Sequence, residues 1–206
     1  MLEFGMVYFK SLDEKNLEQK ENVKKGVQDL ETLNSCGNEV SIEILQKCLS
    51  HPYQFIRIIA IESVSDYCRK DFIPIFAIAL NDRCEYVVEE SAKALAKINT
   101  DEALEILSAA FFEDEIERPQ HLAMAISQFG ERGFAVLVQG TKTSSSNIRY
   151  YSAKLLGSIG LKSAREILEE LINTDNEKTS FNSTVSAGAR KGFKSLSKIR
   201  LKENNE

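Results

Sequence analysis

Few residues in this 206-residue chain are of a type and spacing that could do covalent or metal chemistry. There are two histidines, His51 and His121, and neither is followed by Glu or has a second metal-type residue at ligand spacing. A zinc or iron site needs several imidazole, thiolate or carboxylate donors converging on one point, so both histidines read as structural. Cys36, Cys48, Cys68 and Cys84 are 12, 20 and 16 positions apart, with no C-x-x-C pair, which reads as buried thiols in a reducing, cytoplasmic setting. Ser195 to Lys198 reads SLSK and formally matches S-x-x-K, but a chain with this many serines and lysines produces that match by chance. G-x-S-x-G, the phosphate loop and H-E-x-x-H do not occur. The expectation is a protein that is not an enzyme and carries no cofactor and no metal.

Charge is more informative. The net charge is −5, yet residues 1–140 carry 24 acidic and 14 basic side chains while residues 141–206 carry 7 and 12. The sharpest acidic run is Glu113, Asp114, Glu115 and Glu117, which lacks the alternating layout of a calcium loop. Near the other end Arg190, Lys191, Lys194 and Lys198 crowd one segment, with Arg190, Lys194 and Lys198 four apart and so on one helix face. Anion or nucleic-acid contact there is the alternative use; without an aromatic platform it offers backbone attraction only, and an acidic chain with no tryptophan argues against nucleic acid as the main partner. The first ten residues lack the basic start of a secretory signal, and apolar runs such as Phe72 to Leu80 are too short to span a bilayer, so no membrane association is expected.

The elements that position these residues are helical. The chain is 43% apolar and 28% charged, with three prolines and ten glycines, a composition that favours an all-α fold over a sheet. Val23, Val27, Leu30 and Leu33 form an amphipathic stripe, a capping helix within residues 1–36. From Ile56, small or apolar residues follow at offsets 4, 5, 7 and 8, with a larger one at 11, and the pattern recurs from Val87, Arg118 and Ile148, advancing by 31, 31 and 30. A looser copy starts at Val185. Preceding helices keep the same time through Leu45, Phe76, Leu107, Leu137 and Leu168. Such a period means units too small to bury their own apolar faces, stacked on one another. The expected organisation is a cap at 1–36, five helix-pair repeats over 37–199 and a charged tail at 200–206. The late copy is displaced by NTDNEKTSFN, residues 173–182, an enlarged loop of turn formers inside the last unit.

An apolar residue followed by Arg, then alanines, then Leu and Ile-Gly, as in Ile148 to Gly160, resembles the second helix of a HEAT-like repeat, and the resemblance extends over about residues 40–199. It implies an α-solenoid. In that family the Arg after the anchor bonds to a neighbouring repeat; Arg57 and Arg149 match, while Val88, Pro119 and Ser186 stand at the other positions. The polar ladder is therefore expected to be incomplete. Iron-dependent hydroxylases of this architecture need His-Glu pairs that are missing here, and glycosylases need an aromatic, basic groove. A bilin-lyase-like or other enzyme subunit stays open as an alternative.

In HEAT-like solenoids the second helices line a concave face. The resemblance implies that Ile58, Ile59, Glu62, Glu89, Glu90, His121, Met124, Tyr150, Tyr151 and Lys154 would lie on it, with Lys191 and Lys194 at its end. Ile58, Ile59, Tyr150 and Tyr151 are large groups off the repeat's core pattern, the mark of a surface that binds another protein. The function expected is a protein-binding scaffold or adaptor. The resemblance extends to bacterial immunity proteins, which neutralise a toxin by binding it.

Overall fold

The computed structural model describes residues 17–113 and 119–203, and among them every regular element is helical. The first nine residues, the acidic run from Asp114 to Glu117 and the repeat anchor Arg118 lie outside the described residues, as does the tail beyond Glu203. Eleven α-helices follow in order: α1 (Leu17–Ser35), α2 (Ile42–Leu49), α3 (Gln54–Ser65), α4 (Ile73–Ala79), α5 (Glu85–Ile98), α6 (Asp101–Phe111), α7 (Gln120–Ser127), α8 (Glu131–Gly140), α9 (Ser146–Ile159), α10 (Ala164–Thr174) and α11 (Val185–Glu203). They divide into two compact units, Met1–Ile98 and Asn99–Glu206.

In the first unit α1 packs on α2 and α3, and the pairs α2/α3 and α4/α5 are joined through the stacking of α3 on α5. In the second unit α7 packs on α9 and α9 on α11, with α6, α8 and α10 beside them. The repeat positions explain this arrangement. Leu45, Phe76, Leu107, Leu137 and Leu168 are all fully buried, as are Ala60 and Ile61, Ser91 and Ala92, and Ser152 and Ala153. Small residues at offsets 4 and 5 let second helices approach closely, and the larger ones fill the layer between them.

Helix starts are written locally. Ser41, Thr100 and Ser145 each accept a hydrogen bond from the backbone N–H three residues on, at 3.3, 3.2 and 3.4 Å. Gly160 ends α9 with φ at 87°, a left-handed conformation that suits glycine. Gly157 marks the closest approach of α9 and α11, because a Cβ there would stand 1.8 Å from the carbonyl oxygen of Gly192.

Polar ties repeat with the sequence period. Arg57 grips Asp82 through Nε and Nη2 at 2.7 and 2.8 Å, and its Nη1 donates to the carbonyls of His51 and Pro52. Arg149 has the same geometry, with Nε to Asp175 at 2.7 Å, a further contact to Glu177, and Nη1 on the carbonyls of Thr143 and Ser144. Where Ser186 stands in place of arginine, its hydroxyl donates to Asn176 Oδ1 at 2.9 Å.

The enlarged loop carries an isolated β-bridge among the described residues. Residues 175–184 turn back through an isolated bridge between Lys178 and Thr184. Ser146 Oγ donates to Lys178 O and the Ser180 N–H donates to Asn147 Oδ1, both at 2.9 Å, so the loop is pinned to the start of α9. Asn182 takes a positive φ of 59° at its tip.

Candidate protein-binding surfaces

Each unit presents its own surface on its second helices. In the first unit, Ile58, Ile59 and Glu62 come from α3 and Glu89 and Glu90 from α5. Ile58 and Ile59 are half-buried and Glu62 is exposed. Lys93 sits among the carboxylates, 2.7 Å from Glu89 and 2.8 Å from Glu90. Burial and the neighbouring Glu90 charge push the Glu62 carboxyl above its usual range, against the opposing pull of Lys93. These second-helix side chains thus comprise three carboxylates and one ammonium.

The exposed aromatics of that unit escaped the sequence reading. Phe55 and Tyr86 are 47% and 65% exposed, and each directly precedes a repeat anchor, Ile56 or Val87. Their equivalent positions were the available signal. A depression of about 250 Å³ next to Phe55 is lined by Pro52, Tyr53, Gln54, Arg57 and Arg83. Its cations are already engaged, Arg57 by Asp82 and Arg83 by the Pro52 carbonyl. His51 is likewise engaged, with Nε2 2.9 Å from Asn22 O and Nδ1 accepting from the Tyr53 N–H. Among the described residues no group of His, Cys, Asp and Glu is arranged to hold a metal ion, and no helix is long and apolar enough to cross a membrane.

In the second unit the expected exposure of Tyr150 is corrected. Only 4% of it is accessible, because the enlarged loop lays Phe181 across it with ring centroids 4.9 Å apart. Gly188 of α11 packs on the same ring, where a Cβ would lie 2.7 Å from Tyr150 Cδ2. Tyr151 stays half-buried, edge-on to Tyr150 at 5.0 Å and tilted against Phe181 at 5.5 Å. Its hydroxyl lies 3.2 Å from Gln120 Oε1. Phe181 itself, 43% exposed, is the residue sequence reasoning missed. Its loop was legible, but the direction in which the loop folds was not.

The remaining candidates extend this aromatic surface. Met124 is 43% exposed on α7, within reach of Gln120, and His121 beside it is half-buried. Lys154 Nζ lies over the Tyr151 ring at 5.7 Å. Lys191 Nζ donates to the Tyr150 hydroxyl at 2.7 Å, at the edge of the ring. Lys191 thereby leaves the basic row of α11, in which Arg190, Lys194 and Lys198 remain exposed.

Stacked helix pairs with a constant internal period define a helical-repeat protein. The repeat is HEAT-like: residues 87–113 match the family model described as PBS lyase HEAT-like repeat. That description belongs to a repeat unit. The chain is also similar to a crystal structure described as an engineered protein, at 18% identity over 92% of this chain and 95% of the other, with a TM-score of 0.39. No curated protein matches the chain.

Proposed function

We propose that the chain is a non-enzymatic protein-binding module, a cytoplasmic scaffold or adaptor that presents its second-helix faces to a protein partner. The observation that carries this reading is the partial exposure of Phe181 on the enlarged loop and of Tyr151 and Met124 on the second helices α9 and α7, all large side chains. Four free thiols, two of them buried, fit a reducing compartment. The more specific version is an immunity or inhibitor protein. Its support is the acidic balance of residues 1–140, 24 acidic to 14 basic, and the carboxylates Glu62 and Glu90 on the second helices of the first unit, which would complement a basic toxin.

A second reading, nucleic-acid binding through Arg190, Lys194 and Lys198, draws on the exposure of that row. Affinity capture from nuclease-treated lysate of the source organism separates the two. A protein retained by the wild type and lost by the Met124→Ser, Phe181→Ser double variant supports the module. Recovery of nucleic acid alone before nuclease treatment, abolished by Lys194→Glu and Lys198→Glu, transfers the function to α11. Recovery of neither refutes both.

A further inference from the structure

Two lysines of the second unit are held differently from three of the first. Lys47, Lys93 and Lys97 each meet a carboxylate within 2.8 Å. Lys154 is instead held over the face of Tyr151 and Lys191 by the hydroxyl of Tyr150, and among the described residues neither forms an ion pair. An aromatic face or a neutral hydroxyl fixes an ammonium in place without neutralising it. Two cations without an ion pair therefore adjoin the two tyrosines on which Phe181 packs, in a stretch where basic side chains outnumber acidic ones by 12 to 7.

We infer that this surface binds an acidic protein segment that carries a large apolar side chain. This rests on the protein-binding reading above and names the chemistry of the partner. The segment's carboxylates pair with Lys154 and Lys191, and its apolar side chain covers Phe181, Tyr151 and Met124. Because Ser146, Asn147 and Ser180 pin the loop, Phe181 is set before binding and little ordering entropy is lost. A single-stranded nucleic acid fits less well. Phe181 meets Tyr150 at 77° and Tyr151 at 42°, so the rings interlock instead of forming parallel platforms on which bases could stack.

The test is selection of short random displayed peptides on the full chain, followed by fluorescence anisotropy of the selected peptides. The expected result is enrichment of Asp and Glu around a Leu, Phe or similar residue, with binding that weakens as salt is added. Lys154→Glu and Phe181→Ser should each weaken it by about tenfold or more, and exposed Lys162→Glu should not. Lys191→Glu serves as a third variant; since it also removes the bond to Tyr150, Lys154→Glu decides if that chain melts early. Selected peptides that need Phe181 but show no acidic bias overturn this inference and leave the protein-binding reading intact. Acidic peptides indifferent to Lys154→Glu overturn the site. Tighter binding of oligothymidylate than of any selected peptide, sensitive to the same variants, assigns the surface to nucleic acid, and selection of no peptide at all overturns both readings.

Discussion

Replacing Arg57 with Met should cost more than any exposed ion pair in the molecule. The Arg57 side chain is 5% exposed and Asp82 15%, and the guanidinium donates four hydrogen bonds, two to the carboxylate and two to the His51 and Pro52 carbonyls. Methionine fills the volume but strands a largely buried carboxylate and the His51 carbonyl, while the Pro52 carbonyl keeps its bond from Arg83. Breaking such a pair costs on the order of 3–5 kcal/mol. Asp82 keeps its bond from the Cys84 N–H at 2.8 Å, which brings the expectation to the lower end, about 3 kcal/mol. Asp82→Asn preserves that N–H bond and the one from Arg57 Nη2, both made to Oδ1, but removes the counter-charge and the acceptor of Nε, at a cost no larger than that of Arg57→Met. Combining the two should be less damaging than their sum by roughly 1–3 kcal/mol, since the second change removes a charge the first left unpaired. Arg165→Met, which breaks the exposed pair with Glu169, should stay within about 0.5 kcal/mol. Urea unfolding followed by circular dichroism gives the magnitudes, and native-state hydrogen exchange around residues 51–57 and 82–87 locates them. A loss for Arg57→Met no larger than that for Arg165→Met, or strict additivity in the cycle, would falsify the view that this clamp ties the α2/α3 turn to the start of α5.

Gly157→Ala should destabilise by roughly 2 kcal/mol or more, because its Cβ would meet the backbone of Gly192, which cannot turn away; thermal unfolding at the wild-type temperature would count against so tight a crossing of α9 and α11. Burial pushes the Cys48 thiol up to about 11, whereas Cys68 is exposed, so native alkylation at about pH 8 should label Cys68 first and reach Cys48 only on unfolding, as read by peptide mass spectrometry. Glu62 binds its proton more tightly folded than unfolded, so its contribution to stability falls as pH rises through its titration range. Glu62→Gln should therefore raise the unfolding midpoint at neutral pH, with the advantage shrinking on acidification; an advantage that grows with acid would show the sign to be wrong.

The repeat was legible because it is written in side-chain size. Each of Leu45, Phe76, Leu107, Leu137 and Leu168 lands in a fully buried site, and a stretch with that spacing has no other face to bury. Tyr150 was misread for a physical reason. Offset 2 from the anchor faces outward in a regular repeat, and the return of a ten-residue loop, fixed by Ser146, Asn147 and Ser180, covers it together with Gly188 of α11. Loop direction depends on such long-range hydrogen bonds, which leave no periodic trace in sequence. Phe181 was hidden for the same reason, inside a segment whose composition announces only a turn.

The arginine ladder looked incomplete because only the position after each anchor was counted. A second set of ties runs between equivalent turns. Lys97 reaches Asp66 and, in the other unit, Arg132 reaches Asp101, each across 31 residues, while Arg69 donates to Asn38 O across the same interval and to Val40 O. Thirty-one is the repeat period itself, so each cation bonds to the counterpart of its own neighbourhood one unit earlier. A repeat needs its neighbour held at both ends of the helix pair, since apolar layers alone resist separation but not sliding. Where Val88 replaces the arginine after its anchor, Lys97 at the far end of the same helix supplies a tie back to Asp66. The sequence signal for such a ladder is a cation and a carboxylate one period apart, and it can be sought in any chain whose period is known.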